Sequence, residues 1–283
     1  MKFAVSIIKP SEYPHSEAFQ EIGETIHYGL TELGYDSILT TATNLGDRQL
    51  IVLGANLLSW YPVTLPSDAI IYNLEQIYQG SQWLTPDLLN LFRQYRVWDY
   101  SQENILQLAK FQITNVSYLP IGYVPQLTRI NQIAEAQQDI DVLFYGSLTQ
   151  ERLSIIRALQ AHGLNTVALY GVYGEERDKF ISRAKIVINI HACESKLFEI
   201  ARVSYLLANQ KFVISERGLN PAAEAPFSSG MVFADYDKLV NTCLDFIHRP
   251  CRRRQIATTG FEIMQQRSQA NYLRSVLACK SCK

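Results

Sequence analysis

Hydrophobic and polar positions alternate in blocks along the whole chain. Lys2–Ile8 is a short apolar run, and Ser16–Leu33 repeats apolar residues at helical spacing (Phe19, Ile22, Ile26, Leu30, Leu33). Gly34 follows where a helix C-cap glycine is expected. Further runs at Ser37–Thr41, Leu50–Leu53, Ala69–Asn73, Arg96–Asp99 and Asn115–Leu119 predict strands, with helices over Pro86–Gln94 and Gln102–Phe111. Val124–Gln138 is polar and aperiodic, and reads as a connector.

A second series begins at Asp141–Tyr145. The pattern predicts strands there and at Val167–Tyr170, Ile186–Ile190, Phe212–Ser215 and Gly230–Phe233. Helices are predicted over Glu151–His162, Glu175–Ala184, Lys196–Asn209, Lys238–His248 and Arg252–Gln266. Strands alternating with helices imply βαβ units and parallel sheets whose active groups sit at the carboxyl ends of the strands. The expected organisation is α/β, with one Rossmann-like domain over 1–130 and another over 139–283, a ligand crevice between them, and a last helix free to pack back on the first domain.

Composition narrows the function classes. With 283 residues, 47% hydrophobic and 19% charged, the chain can build two full cores. Its net charge of −1 offers no field for a polyanion, so no nucleic-acid partner is expected. The Arg252-Arg253-Arg254 run reads as a solvated helix face. No apolar stretch reaches the length of a membrane helix, and the start reads as a strand, not a signal peptide. Five cysteines, odd in number and gathered late, point to a reducing cytoplasm; Cys279 and Cys282 form a lone C-x-x-C without a second pair. Oligomeric state is not encoded in any pattern of this sequence.

Several segments carry candidate chemistry. Val142–Leu148 ends a strand in Gly146-Ser147, with Arg152 entering the next helix, and Val167–Gly171 ends in Tyr170-Gly171. A glycine turn after a buried strand lets a helix N-terminus hold a phosphate. The turn fits neither G-x-G-x-x-G nor the P-loop, which argues against dehydrogenases and ATPases. His191–Arg202 follows a strand with His191, Glu194, Lys196, Phe198, Glu199 and Arg202. Taken with Phe212–Glu216, Glu224, Gly230–Phe233 and the closing helices, these pieces resemble in order and spacing the nucleotide-sugar domain of GT-B glycosyltransferases. Lys196-Leu197-Phe198-Glu199 is similar to the Arg-x-Phe-Glu pattern of spore-maturation-type glycosyltransferase-like proteins.

That resemblance implies a GT-B fold and a metal-independent glycosyltransferase, using a nucleotide-diphosphate sugar as co-substrate and no other cofactor. Donor binding falls to Gly146, Ser147, Arg152, Tyr170, Gly171, His191, Glu194, Lys196, Phe198, Glu199 and Arg202. Glu199 would accept ribose hydroxyls and Lys196 would neutralise diphosphate. The first domain would present the acceptor near Asn73 and Gln76, with His15 or Glu75 as the base of an inverting reaction, since an imidazole can take a hydroxyl proton near neutral pH. Many retaining GT-B enzymes carry two glutamates separated by seven residues in this region; eight positions after Glu194 stands Arg202, so the pair is not matched there. The rival reading is therefore a catalytically degenerate nucleotide-sugar-binding or scaffold protein of the same fold. Two D-x-D sequences, at Asp139/Asp141 and Asp235/Asp237, read as structural, with no metal site expected.

Overall fold

In a computed structural model, residues 1–278 are described, and the Cys279/Cys282 pair lies outside them. The chain divides into two units, Met1–Gln126 with the C-terminal segment from Arg267, and Leu127–Gln266.

The first unit opens with β1 (Lys2–Ile7), α1 (Gln20–Glu32), β2 (Asp36–Thr40), β3 (Gln49–Leu53) and β4 (Ile70–Asn73). It continues with α2 (Pro86–Gln94), β5 (Arg96–Asp99), α3 (Gln102–Lys110) and β6 (Val116–Tyr118). All six strands pair in parallel in the order β2-β1-β3-β4-β5-β6. Central strands such as β3 and β4 are covered on both faces, which explains their unbroken apolar runs. Caps fix where helices start: Thr85 accepts from the Leu88 N–H at 3.2 Å, and Ser101 from the Asn104 N–H at 3.3 Å. The helix expected from Ser16 instead begins at Gln20, because Pro14 opens a separate 3-10 turn over Pro14–Phe19.

The second unit runs β7 (Ile140–Tyr145), α4 (Gln150–Ala161), β8 (Thr166–Leu169), α5 (Gly174–Arg183), β9 (Ala184–Asn189) and α6 (Ile200–Ala208). It ends with β10 (Val213–Glu216), α7 (Pro221–Glu224), β11 (Val232–Ala234), α8 (Leu239–Ile247) and α9 (Pro250–Gln265). Its parallel sheet has the order β11-β10-β9-β7-β8. The last helix, α10 (Gln269–Ala278), returns to the first unit and packs on α1. The Gln269 carboxamide oxygen accepts from the Gly122 N–H at 2.6 Å, and Tyr123 exchanges backbone hydrogen bonds with Arg267 and Gln269.

Two expectations change here. The helix foreseen from Lys196 starts at Ile200, because Lys196 itself turns to φ +40° and residues 191–199 form a loop. The polar connector is tied down rather than loose: the Arg129 and Ile130 N–H groups both donate to Asn209 Oδ1 at 2.8 Å, and the Gln132 amide donates to the Asn209 carbonyl at 2.7 Å. The connector thus closes the open carbonyl end of α6.

Candidate functional site

Three strands of the second unit deliver polar groups to the carboxyl edge of its sheet. After β7 the chain turns at Gly146, whose φ of +138° is open to glycine and strained for other residues. Its N–H donates to the Leu169 carbonyl at 3.0 Å, which sets the β7 turn beside the Tyr170-Gly171 turn that follows β8. Tyr170 is largely exposed there. A Cβ on residue 146 would stand 2.9 Å from Arg202 Nη2, so the guanidinium of Arg202 lies directly against the turn.

Glu199, at the entry to α6, is the electrostatic centre. Arg202 reaches its Oε2 at 2.7 Å, and Arg152 its Oε1 at 3.3 Å. Burial alone would raise its pKa, but Arg202, His191 and Arg152 outweigh burial and hold the carboxyl at about 2. Glu199 is thus an ionised acceptor with a side chain still 12% exposed.

Arg152 is placed differently from the expectation of a diphosphate ligand. Its side chain is 2% exposed, and it donates to the Ile190 carbonyl from Nε (2.8 Å) and Nη2 (2.6 Å) and to the Ser147 carbonyl and hydroxyl from Nη1 (both 2.9 Å). With Glu199 completing its partners, it ties the β7 turn to the end of β9 and works as a positioning residue. Burial lowers its pKa, and the carboxylate of Glu199 offsets part of that. Phe198 is likewise turned inward. It is buried among Phe227 (5.4 Å) and Phe233 (5.5 Å), where it anchors the loop. Glu194 is exposed on the loop surface.

His191 is 5% exposed, and neither ring nitrogen has a hydrogen-bond partner among the described residues. Its Nδ1 stands 3.7 Å from Glu199 Oε1, outside hydrogen-bond range, while its backbone N–H donates to Glu216 Oε2 at 2.9 Å. Buried polar side-chain atoms left without a hydrogen-bond partner are the exception in folded proteins.

Sequence reading gave Glu216 and Glu224 no role, yet both are 2% exposed, Glu216 at the end of β10 and Glu224 at the end of α7. Lys196 Nζ pairs with Glu216 Oε1 at 2.6 Å, Glu224 accepts from the Gly218 N–H, and Arg217 stands 3.4 Å from its second oxygen. A Cβ at Gly218 would meet the Lys196 carbonyl at 2.5 Å, so the β9 and β10 loops can close on each other only through glycine. Glu216 and Glu224 are separated by seven residues, but they lie at the ends of β10 and α7, not in the loop after β9. Counted back from Glu199, the same spacing falls on His191. A glutamate closing a buried strand and another at a short helix were the available signals.

In the first unit, Asn73 closes β4. It is buried, donates to Asp99 Oδ2 at 2.7 Å and to the Glu75 carbonyl at 3.0 Å, and accepts from the Glu75 N–H at 3.2 Å. Asp99 and Asn104, both fully buried, complete this frame: Asn104 donates to Asp99 and to the Glu75 carbonyl. Burial pushes Glu75 up to about 7. It also pushes Asp99 up to about 7, against the hydrogen bonds from Asn73, Ser101 and Asn104. Gln76 is half-buried on the same loop. His15 stacks edge-on against Tyr13 (5.3 Å), which meets Trp60 (6.2 Å), and Trp60 meets Trp83 (5.2 Å). These loops leave the carboxyl ends of β1, β3 and β4.

Both D-x-D sequences sit in ion pairs: Asp139 with Arg183, Asp141 with Lys185, and Asp235 with Lys238 and Arg217. Among the described residues no cluster of three or more metal-ligating side chains forms, and no helix is long and apolar enough to cross a membrane.

No family model matches the chain. An uncharacterized protein of Acanthamoeba polyphaga mimivirus is 28% identical over 165 residues, 56% of this chain and 53% of that protein. Another from the same virus is 31% identical over 163 residues, 56% and 55% of the two chains. The match therefore spans about half the length of these relatives. Among solved structures, Anabaena HepE in complex with UDP and glucose aligns over 100% of both chains, at a TM-score of 0.64 and 9% identity. Sucrose-phosphate synthase from Thermosynechococcus elongatus aligns over 99% of this chain and 100% of its own (TM-score 0.60, 12% identity). The DNA-modifying enzyme beta-glucosyltransferase aligns over 98% and 99% (TM-score 0.57, 11% identity). TarM, with a TM-score of 0.58 and 9% identity, covers 91% of this chain, which spans 58% of TarM. The fold is that of GT-B glycosyltransferases, two Rossmann-like α/β units.

Proposed function

We propose that this chain transfers a sugar from a nucleotide-diphosphate donor to an acceptor hydroxyl, with the donor held at the carboxyl edge of the second unit. The observation that carries this reading is the Gly146–Arg202–Glu199 arrangement: a backbone turn open to phosphate, a guanidinium against it, and an ionised carboxylate behind. The Gly146-Ser147 turn and Arg202 would take the diphosphate, and Glu199 would accept ribose hydroxyls. His191, with its ring nitrogens unpaired, and Lys196, paired with Glu216, would meet the sugar and the departing phosphate. UDP is the first nucleotide to try, since HepE binds it in the same fold.

In this reading Glu75 is the base in the first unit, because burial brings it near the pKa that suits proton removal at neutral pH. His15 then lines the acceptor end with Tyr13 and Trp60. The cations already at the donor site would balance the leaving diphosphate, so we propose a metal-independent reaction in the cytoplasm.

The degenerate reading has one observation in its favour: the position eight before Glu199, with seven residues between, holds His191 and not an acid. A melting-temperature panel of UDP, GDP, dTDP, ADP and CMP, with Lys196→Ala and Glu199→Ala alongside, tests binding, and hydrolysis or transfer of the matching nucleotide sugar tests turnover. Stabilisation by one nucleotide that both variants lose supports the donor site. Binding without turnover selects the degenerate reading, and no shift from any nucleotide removes both.

A further inference from the structure

The opposite, amino edge of the second unit's sheet holds a cavity of about 340 Å³ that the donor site does not use. Four cations line it: Lys185, Lys211, Arg253 and Arg254. The parallel register Val213↔Val187 places Lys211 beside Lys185, each two residues before its partner strand residue. Two of the four are internally matched. Lys185 pairs with Asp141 at 2.7 Å, and Arg253 pairs with Glu135 at 2.7 Å while donating to the Phe246 and Ile247 carbonyls. Arg253 is buried, contrary to the solvated face expected of the arginine run.

Lys211 is the anomaly. It is 3% exposed, and among the described residues its ammonium makes one hydrogen bond, to Gln132 Oε1 at 3.1 Å. An ammonium carries three donors, and a buried one without a carboxylate is costly. Asp178, which acts on it electrostatically, is held by Tyr205 at 2.5 Å and Arg177 at 2.8 Å. Burial lowers the Lys211 pKa to about 8, so the amine stays largely charged at neutral pH. Arg254, exposed on the first turns of α9, and the start of that sixteen-residue helix at Pro250 border the same space. The remaining wall is mixed: Ile133, Phe212 and Ala257 are apolar, while Gln138, Gln210 and the Glu135 carboxylate, paired with Arg253, are polar.

We propose that this cavity is a second ligand site, which takes a phosphate ester of a small uncharged body, the phosphate on Lys211, Lys185 and Arg254 and the body against Ile133, Phe212 and Ala257. Its volume lies at the lower end of the range for small-molecule sites and exceeds what inorganic phosphate alone would fill. The shared chemistry is the phosphate monoester, whether on a sugar or on a nucleoside.

The test is calorimetric titration of the full chain at pH 7 and low salt with inorganic phosphate, glucose 1-phosphate and AMP, on wild type, Lys211→Met and Arg254→Ser. One ester should bind at least about tenfold tighter than inorganic phosphate, and which one names the body. Lys211→Met should weaken it about tenfold or more, and Arg254→Ser several-fold, without lowering the melting temperature. Arg254→Ser keeps the test open should Lys211→Met not fold. Saturable binding absent for all three probes, or unchanged in both variants, overturns the proposal. So does binding that excess UDP displaces, because the ester would then occupy the carboxyl-edge site. UDP binding kept by Lys211→Met separates this outcome from failure of the donor site.

Discussion

Arg202 Nη2 lies 2.9 Å from the point where a side chain on Gly146 would begin, so guanidinium and turn occupy one site. Gly146→Ala must place a Cβ there and also hold φ near +138°. The strain is expected to cost about 1–3 kcal/mol of stability in the second unit. Because the methyl displaces Arg202, nucleotide stabilisation should fall further than folding does. Urea unfolding with and without UDP separates the two effects; a variant that binds UDP like wild type would exclude the turn from the site.

Glu199 neutralises two arginines, one of them buried at 2% exposure. Glu199→Gln keeps the shape and removes the charge, leaving Arg152 without its counterion. A loss of about 3–5 kcal/mol is expected, against a change within about 0.5 kcal/mol for exposed Glu194→Gln. The pH sign follows from the depressed carboxyl. Its contribution is complete above the ordinary glutamate range and disappears as pH falls toward about 2. Wild type should therefore lose stability between about pH 4.5 and 2 more steeply than Glu199→Gln. Equal slopes would mean that the ion pairs contribute nothing.

Much of this architecture is legible in the chain because parallel strands covered on both faces must be largely apolar, as in Leu50–Leu53 and Ile186–Ile188. The site is less so. Leu197, Phe198 and Ile200 mimic a helix face, but Phe198 points into an aromatic core and the backbone reverses at Lys196. Asp99 and Asn104 lie 26 and 31 positions from Asn73, and only the strand register brings them together. Lys211 reads as a surface lysine at a strand entry, and its burial comes from the connector folding over α6. Local pattern carries the elements; partners far apart in sequence carry the chemistry.

Glu75, raised to about 7 by burial, gives a second pH signature. Folded protein takes up this proton more readily than unfolded chain between the ordinary glutamate range and pH 7, so its contribution to stability declines as pH rises through that window. If Glu75 is the base, transfer should rise over the same window, with a midpoint near 7. Glu75→Gln should flatten the stability slope and lower kcat by about 10²-fold or more. A flattened slope with kcat intact would assign the group to folding alone and return the base role to His15.

Lys211 makes the opposite prediction at alkaline pH. Its folded pKa of about 8 lies below the ordinary lysine value of 10.5, so below pH 8 the folded state carries the full cost of a buried ammonium. Between 8 and 10.5 the unfolded chain holds more protons, and stability rises with pH across that window. Lys211→Met removes the charge and should stabilise the second unit at pH 7 by about 1–3 kcal/mol, a gain that shrinks toward pH 10.5. Urea unfolding at pH 7, 8.5 and 10 checks the sign. A saturating phosphate ester should narrow the gap at pH 7 by stabilising wild type alone. A variant less stable than wild type at pH 7 without ligand would show that Gln132 and the distant Asp178 already satisfy the lysine, and the case for a missing anion would fall with it.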